Sequence, residues 1–124
     1  MLLLVVVNTF LTFCIYFYNR RLYNGGASDG EYFGLQIKGH SMEPKISDGD
    51  IVIVRRQPDV DSGDIAVVLV NGDDATVKRV KKSPQGVTLI PSNPAYDPMH
   101  YTNAEIKSLP VKILGRVVEL RAKL

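Results

Sequence analysis

Ser41 is the residue whose type and setting most readily support chemistry. It stands in Gly39-His40-Ser41-Met42-Glu43-Pro44, a tight turn between an expected strand ending at Lys38 and another beginning at Ile51. A hydroxyl held there is presented by backbone rather than buried, which suits a nucleophile, but a serine needs a neighbouring group to take its proton. The two histidines are poor candidates for that task. His40 adjoins Ser41, and neighbouring side chains on extended backbone point to opposite sides. His100 lies in a proline-rich connection with no acidic partner at recognisable spacing. A Ser-His-Asp triad is therefore not expected. Lysine is the remaining base, provided a dry, apolar setting makes it neutral at working pH. Lys78 meets that condition: it is expected mid-strand, with Thr76 and Val80 on its face and Val77 and Arg79 on the other, beside the wholly apolar Ile65 to Val70. Lys81 and Lys82, near the next turn, read as solvated.

Short strands and tight turns are what must position these residues. Tyr32 to Lys38 alternates, placing Phe33, Leu35 and Ile37 on one face of a half-buried strand. Ile51 to Val54 is a continuous apolar strand, ended by Arg55-Arg56-Gln57-Pro58, and Ser62-Gly63-Asp64 turns the chain into Ile65 to Val70. Asn71-Gly72 signals a hairpin, because both central residues of a type I′ turn need positive φ, and it pairs Ile65 to Val70 with Ala75 to Lys81. Ser83-Pro84-Gln85-Gly86 makes a second hairpin into Val87 to Ile90. Pro91, Pro94 and Pro98 mark an irregular connection, and Pro110 precedes a last strand, Val111 to Val118, whose Gly115 suggests a bulge or a close approach. The fold class is mainly β, built of hairpins and a small twisted sheet with little helix.

The chain of 124 residues is long enough for one domain with a modest core. Its net charge of +2 comes from 15 Lys and Arg against 13 Asp and Glu, spread along the chain. No nucleic-acid-binding motif accompanies that charge, so no direct nucleic-acid contact is expected. The single cysteine, Cys14, excludes a disulfide framework, and neither it nor the two histidines show metal-ligand spacing. No metal and no cofactor are expected. Residues 1–18 carry no charge; as a helix they would reach about 27 Å, a marginal membrane span. The segment lacks the basic start and small-residue exit of a cleaved signal peptide. It reads either as a membrane anchor or as a buried or remnant strand. Arg20 and Arg21 follow it, which for an anchor would leave the domain on the cytoplasmic side. Residues 19–31 have the composition of a linker, and 32–124 form the folded domain.

A family resemblance rests on several of these motifs together. Gly39-x-Ser41-Met42-Glu43-Pro44, Asp48-Gly49-Asp50, Gly63-Asp64-Ile65, Thr76-Val77-Lys78-Arg79 and Leu89-x-Pro91-x-Asn93-x-x-Tyr96 occur in order between Tyr32 and Val118. They resemble the C-terminal domain of the LexA-like, S24-type peptidases, a family that includes LexA and phage CI-type repressors and UmuD. The resemblance implies a compact β fold, a Ser-Lys dyad with Ser41 as nucleophile and Lys78 as general base, and homodimerisation through the same domain. It also implies an oxyanion hole of backbone N–H groups at the turn, from Ser41 and either His40 or Met42. Met42 and Pro44 are expected to shape the turn, Asp48 to Asp50 to form a structural turn, and Asn93 and Tyr96 to pack or cap.

Two departures limit what carries over. Self-cleaving members are cut at Ala-Gly or Cys-Gly upstream of the serine, and this chain has neither dipeptide; Gly26-Ala27 and Ala27-Ser28 are the nearest small-residue pairs. The repressors' N-terminal DNA-binding domain has no counterpart in this sequence, so the expectation is a UmuD-like stand-alone protein, a fragment whose front half is missing or a separate membrane-tethered relative. The resemblance thus implies a self-cleaving or dimerising module in the cytoplasm, tied to transcriptional repression or the SOS response, with a repressor or DNA-damage partner. Two alternatives stay open. One is a signal-peptidase-like membrane enzyme, against which the placement of Arg20 and Arg21 argues. The other is a dimerisation module that does not cleave.

Overall fold

The computed structural model describes residues 3–8, 13–17, 32–72 and 74–122. Among them are nine strands and one short helix: β1 (Leu3–Asn8), β2 (Phe13–Phe17), β3 (Tyr32–Gln36), β4 (Ile51–Arg56), β5 (Ile65–Val70), β6 (Asp74–Ser83), β7 (Gly86–Ile90), β8 (Met99–Thr102), α1 (Asn103–Ser108) and β9 (Val111–Arg121). The mainly β architecture expected from the sequence is the one observed. The apolar N-terminal segment supplies β1 and β2, and among the described residues no helix is long and apolar enough to cross a membrane. The expected linker over 19–31 lies outside the described residues.

All neighbouring strands are antiparallel, in the order β1-β2-β3-β4-β9-β5-β6-β7-β8. β9 lies between β4 and β5, although it follows both in the chain. The β5-β6 turn forms where Asn71-Gly72 predicts it, with φ of 56° and 79°. The resulting register sets Ala66 opposite Lys78 and Val68 opposite Thr76. The second hairpin pairs Ser83 with Gly86.

Alternation along these strands divides the apolar side chains between the two faces. One cluster contains Phe33, Leu35, Ile37, Val52, Val54, Val67, Ala75 and Val77, together with Met42 and Ile46 from the serine turn. The other contains Val60, Ala66, Val68, Val80 and Leu89. β3 departs from a half-buried strand, because Tyr32 on its second face is also buried and packs with Ile53.

Gly115 serves the close approach that its position suggests. A Cβ there would overlap the Arg55 carbonyl oxygen and Val54 Cγ1, and the β5 register shifts one residue away, skipping Leu114. The strand also runs beyond the predicted Val118, to Arg121. β8 and α1 were not predicted from the sequence. Their signal is Thr102-Asn103-Ala104-Glu105: the Thr102 hydroxyl accepts from the Glu105 N–H at 3.2 Å, and Glu105 accepts from the Thr102 N–H at 3.0 Å. This reciprocal cap starts a helix where the proline-rich composition suggests only loop.

Candidate active site

The serine turn is fastened at its base and pulled down at its tip. The Ile37 N–H donates to the Asp50 carbonyl and the Gly49 N–H to the Ile37 carbonyl, both at 2.8 Å. Asp48 accepts from the Gly39 N–H at 2.7 Å, and Asp50 accepts from the Ser47 N–H at 2.9 Å. The Asp48-Gly49-Asp50 motif is thus the structural turn expected of it. Gly39 and Gly49 have φ of 96° and 90°, a region that favours glycine. Met42 and Ile46, each 2% exposed, enter the first core cluster, so the residue after the serine anchors it. Burying each contributes roughly 1.5–3 kcal/mol.

Lys78 reaches this turn from β6. Its Nζ donates to Ser41 Oγ at 2.8 Å, Thr76 Oγ1 at 2.7 Å and the Val77 carbonyl at 3.2 Å. Thr76 shares its face, as strand alternation requires, and Ala66 opposite leaves room for the lysine stem. The residue is 8% exposed, and burial lowers its pKa from 10.5 to about 8. As an ammonium, Lys78 fills its three donor positions with these oxygens. As an amine, it can keep Thr76 Oγ1 and the Val77 carbonyl as acceptors and turn its lone pair toward the Ser41 hydroxyl. The arrangement can therefore remove a proton from Ser41.

Neither histidine competes for this role. The His40 ring meets Glu43 Oε1 at 2.5 Å, and His100 meets Thr88 Oγ1 at 2.9 Å. His40 is not on the extended backbone expected from the sequence. In the structure residues 39–46 form turns, and the contact with Glu43 accounts for where the ring goes. Among the described residues, no group of three or more His, Cys, Asp or Glu is placed to hold a metal.

Asn93 does more than the packing or capping expected of it. Its side-chain amide donates to the His40 carbonyl at 2.9 Å and its backbone N–H to the Ser41 carbonyl at 3.0 Å. Its Oδ1 accepts from the Ala95 N–H at 3.0 Å. The sequence signal for this last bond is the Asn93-Pro94 step, which favours turn initiation; the two carbonyl contacts have no local signature. Tyr96, 43% exposed, and Met99 line a cleft of about 310 Å³ together with Ser41, Lys78, Ile37, Met42 and Val77.

Comparison with known proteins gives the chain a family. The family model described as Peptidase S24-like matches residues 15–118. The LexA repressor of Streptomyces coelicolor is 47% identical over 90 residues, covering 72% of this chain and 38% of the relative. That of Thermobifida fusca is 44% identical over 90 residues, 72% of this chain and 35% of the relative. That of Desulforamulus reducens is 45% identical over 96 residues, 77% of this chain and 41% of the relative. The chain thus spans well under half the length of these relatives. A family match covering most of the sequence, with repressors this similar across the stretch that holds Ser41 and Lys78, shows that the chain belongs to the S24-like peptidase family.

Proposed function

We propose that residues 32–124 form a serine peptidase module of the LexA type, with Ser41 as nucleophile and Lys78 as general base. The contact of 2.8 Å between Lys78 Nζ and Ser41 Oγ carries this reading. Neutral Lys78 accepts the Ser41 proton as Oγ attacks the scissile carbonyl. The oxyanion is met by backbone N–H groups of Ser41 and of His40 or Met42. The Lys78 ammonium then protonates the leaving amine, and the amine so regenerated activates the water that releases the acyl group from Ser41. Thr76 and the Val77 carbonyl hold the lysine nitrogen through both steps.

The substrate on this reading is a peptide bond in the same chain, in a second copy or in a repressor-type partner. The setting is the cytoplasm and the outcome a change in transcriptional repression or the SOS response. The relatives matched are repressors, which favours this over a signal-peptidase-like enzyme. A non-cleaving dimerisation module remains the second reading, supported by the absence of Ala-Gly and Cys-Gly from the sequence.

Incubation of the purified chain at rising pH separates the two. Because the amine is the active form, cleavage is expected to rise as pH passes through about 8. It is expected to vanish in Ser41→Ala and Lys78→Ala, and in Lys78→Arg, whose guanidinium stays protonated. Chains that remain intact at every pH, with no peptide cut in trans, would favour the dimerisation module.

A further inference from the structure

Asn93 lies far from Ser41 in the chain, yet it binds the carbonyls on both sides of the serine Cα. The His40 carbonyl belongs to the peptide unit that carries the Ser41 N–H. The Ser41 carbonyl belongs to the unit that carries the Met42 N–H. In a planar trans peptide the C=O and N–H vectors point in opposite directions. Holding both carbonyls against Asn93 therefore directs the Ser41 and Met42 N–H groups away from it. Among the described residues, neither N–H donates to another group. The Asn93 amide is fixed in turn, since its Oδ1 accepts from the Ala95 N–H and its carbonyl from the Tyr96 N–H at 3.1 Å.

We propose that Asn93 is a positioning residue for the oxyanion hole, its side chain holding the Ser41 N–H in place by bonding the His40 carbonyl of the same peptide unit. The proposal rests on the reading of Ser41 as nucleophile and deepens it. It gives the connection between β7 and β8 a part in the reaction. Donors set before the reaction begins need no reorganisation as the oxyanion forms, so a loosened hold lowers the rate while leaving Lys78 and the cleft walls in place.

The test uses p-nitrophenyl acetate, from which Ser41 Oγ would take the acetyl group and release p-nitrophenolate; acetylation is counted by intact mass and corrected with Ser41→Ala. Asn93→Ala removes the side-chain bonds. Asn93→Asp keeps the shape and the Ala95 bond but sets an acceptor against the His40 carbonyl, which guards against simple collapse of the loop. Both variants are expected to acetylate about 10- to 100-fold more slowly, with the pH midpoint still that of the unaltered protein. The amide resonance of Ser41 is expected to shift or broaden in both. Unaltered rates, a displaced pH midpoint or an unmoved Ser41 resonance would overturn the proposal. Failure of the nucleophile reading looks different: the unaltered protein itself shows no Ser41-dependent acetylation, and the amide spectra alone then decide whether Asn93 holds the turn.

Discussion

At pH 7 a lysine with a pKa near 8 is neutral in about a tenth of molecules, enough to supply a base while most of the population remains protonated. The same depression bears on stability. Below about 8 the folded chain keeps a buried ammonium, which burial disfavours. Between about 8 and 10.5 the unfolded chain holds a proton that the folded one has released, so stability rises with pH across that window. The gain is on the order of 3 kcal/mol when complete. Lys78→Met is accordingly expected to abolish Ser41 reactivity and to raise stability at pH 7 by about 1–3 kcal/mol. Urea unfolding at pH 7 and pH 10 checks this, with the advantage shrinking at the higher pH. Both residues of the pair are legible in the sequence, Ser41 from its glycine-led turn and Lys78 from strand alternation beside an apolar partner. Asn93 is not, because its partners are backbone carbonyls distant in sequence, and carbonyls look alike at every position.

Among the elements, β9 departs furthest from what a local reading can supply. Its hydrophobic run and the Gly115 close approach are visible in the sequence, yet its place between β4 and β5 depends on pairings with no local signal. Hairpins announce themselves through turn residues such as Asn71-Gly72, whereas a strand inserted from far along the chain does not. Gly115→Ala tests how tightly β9 is held. The added methyl meets the Arg55 carbonyl and Val54, and relief requires β4 and β9 to separate. A loss of about 1–3 kcal/mol is expected from thermal or denaturant unfolding. The helix α1 is hidden for another reason: Pro91, Pro94 and Pro98 before it outweigh a capping pattern that occupies only Thr102 to Glu105.

For the whole molecule, the proposed readings as a LexA-type module or a dimerisation module predict self-association. Sedimentation equilibrium is expected to show a concentration-dependent dimer; a monomer at all concentrations would count against the dimerising role. The architecture also sets a condition on when the site can exist. Ser41 hangs from β3 and β4, Lys78 belongs to the β5-β6 hairpin, and β9 is the strand that bonds both halves into one sheet. Of the described strands it is also the last to leave the ribosome. Earlier strands can form and pair as they emerge, but the sheet hydrogen bonding that joins the two halves waits for Val111 to Arg121. A chain stopped before Val111 is expected to carry Ser41 and Lys78 without Ser41 reactivity, read by acetylation in a translation extract. On the proposed reading of Ser41 and Lys78, synthesis therefore carries its own safety interlock: the two groups stay unreactive while the strands that hold them are being made, and β9 arms them.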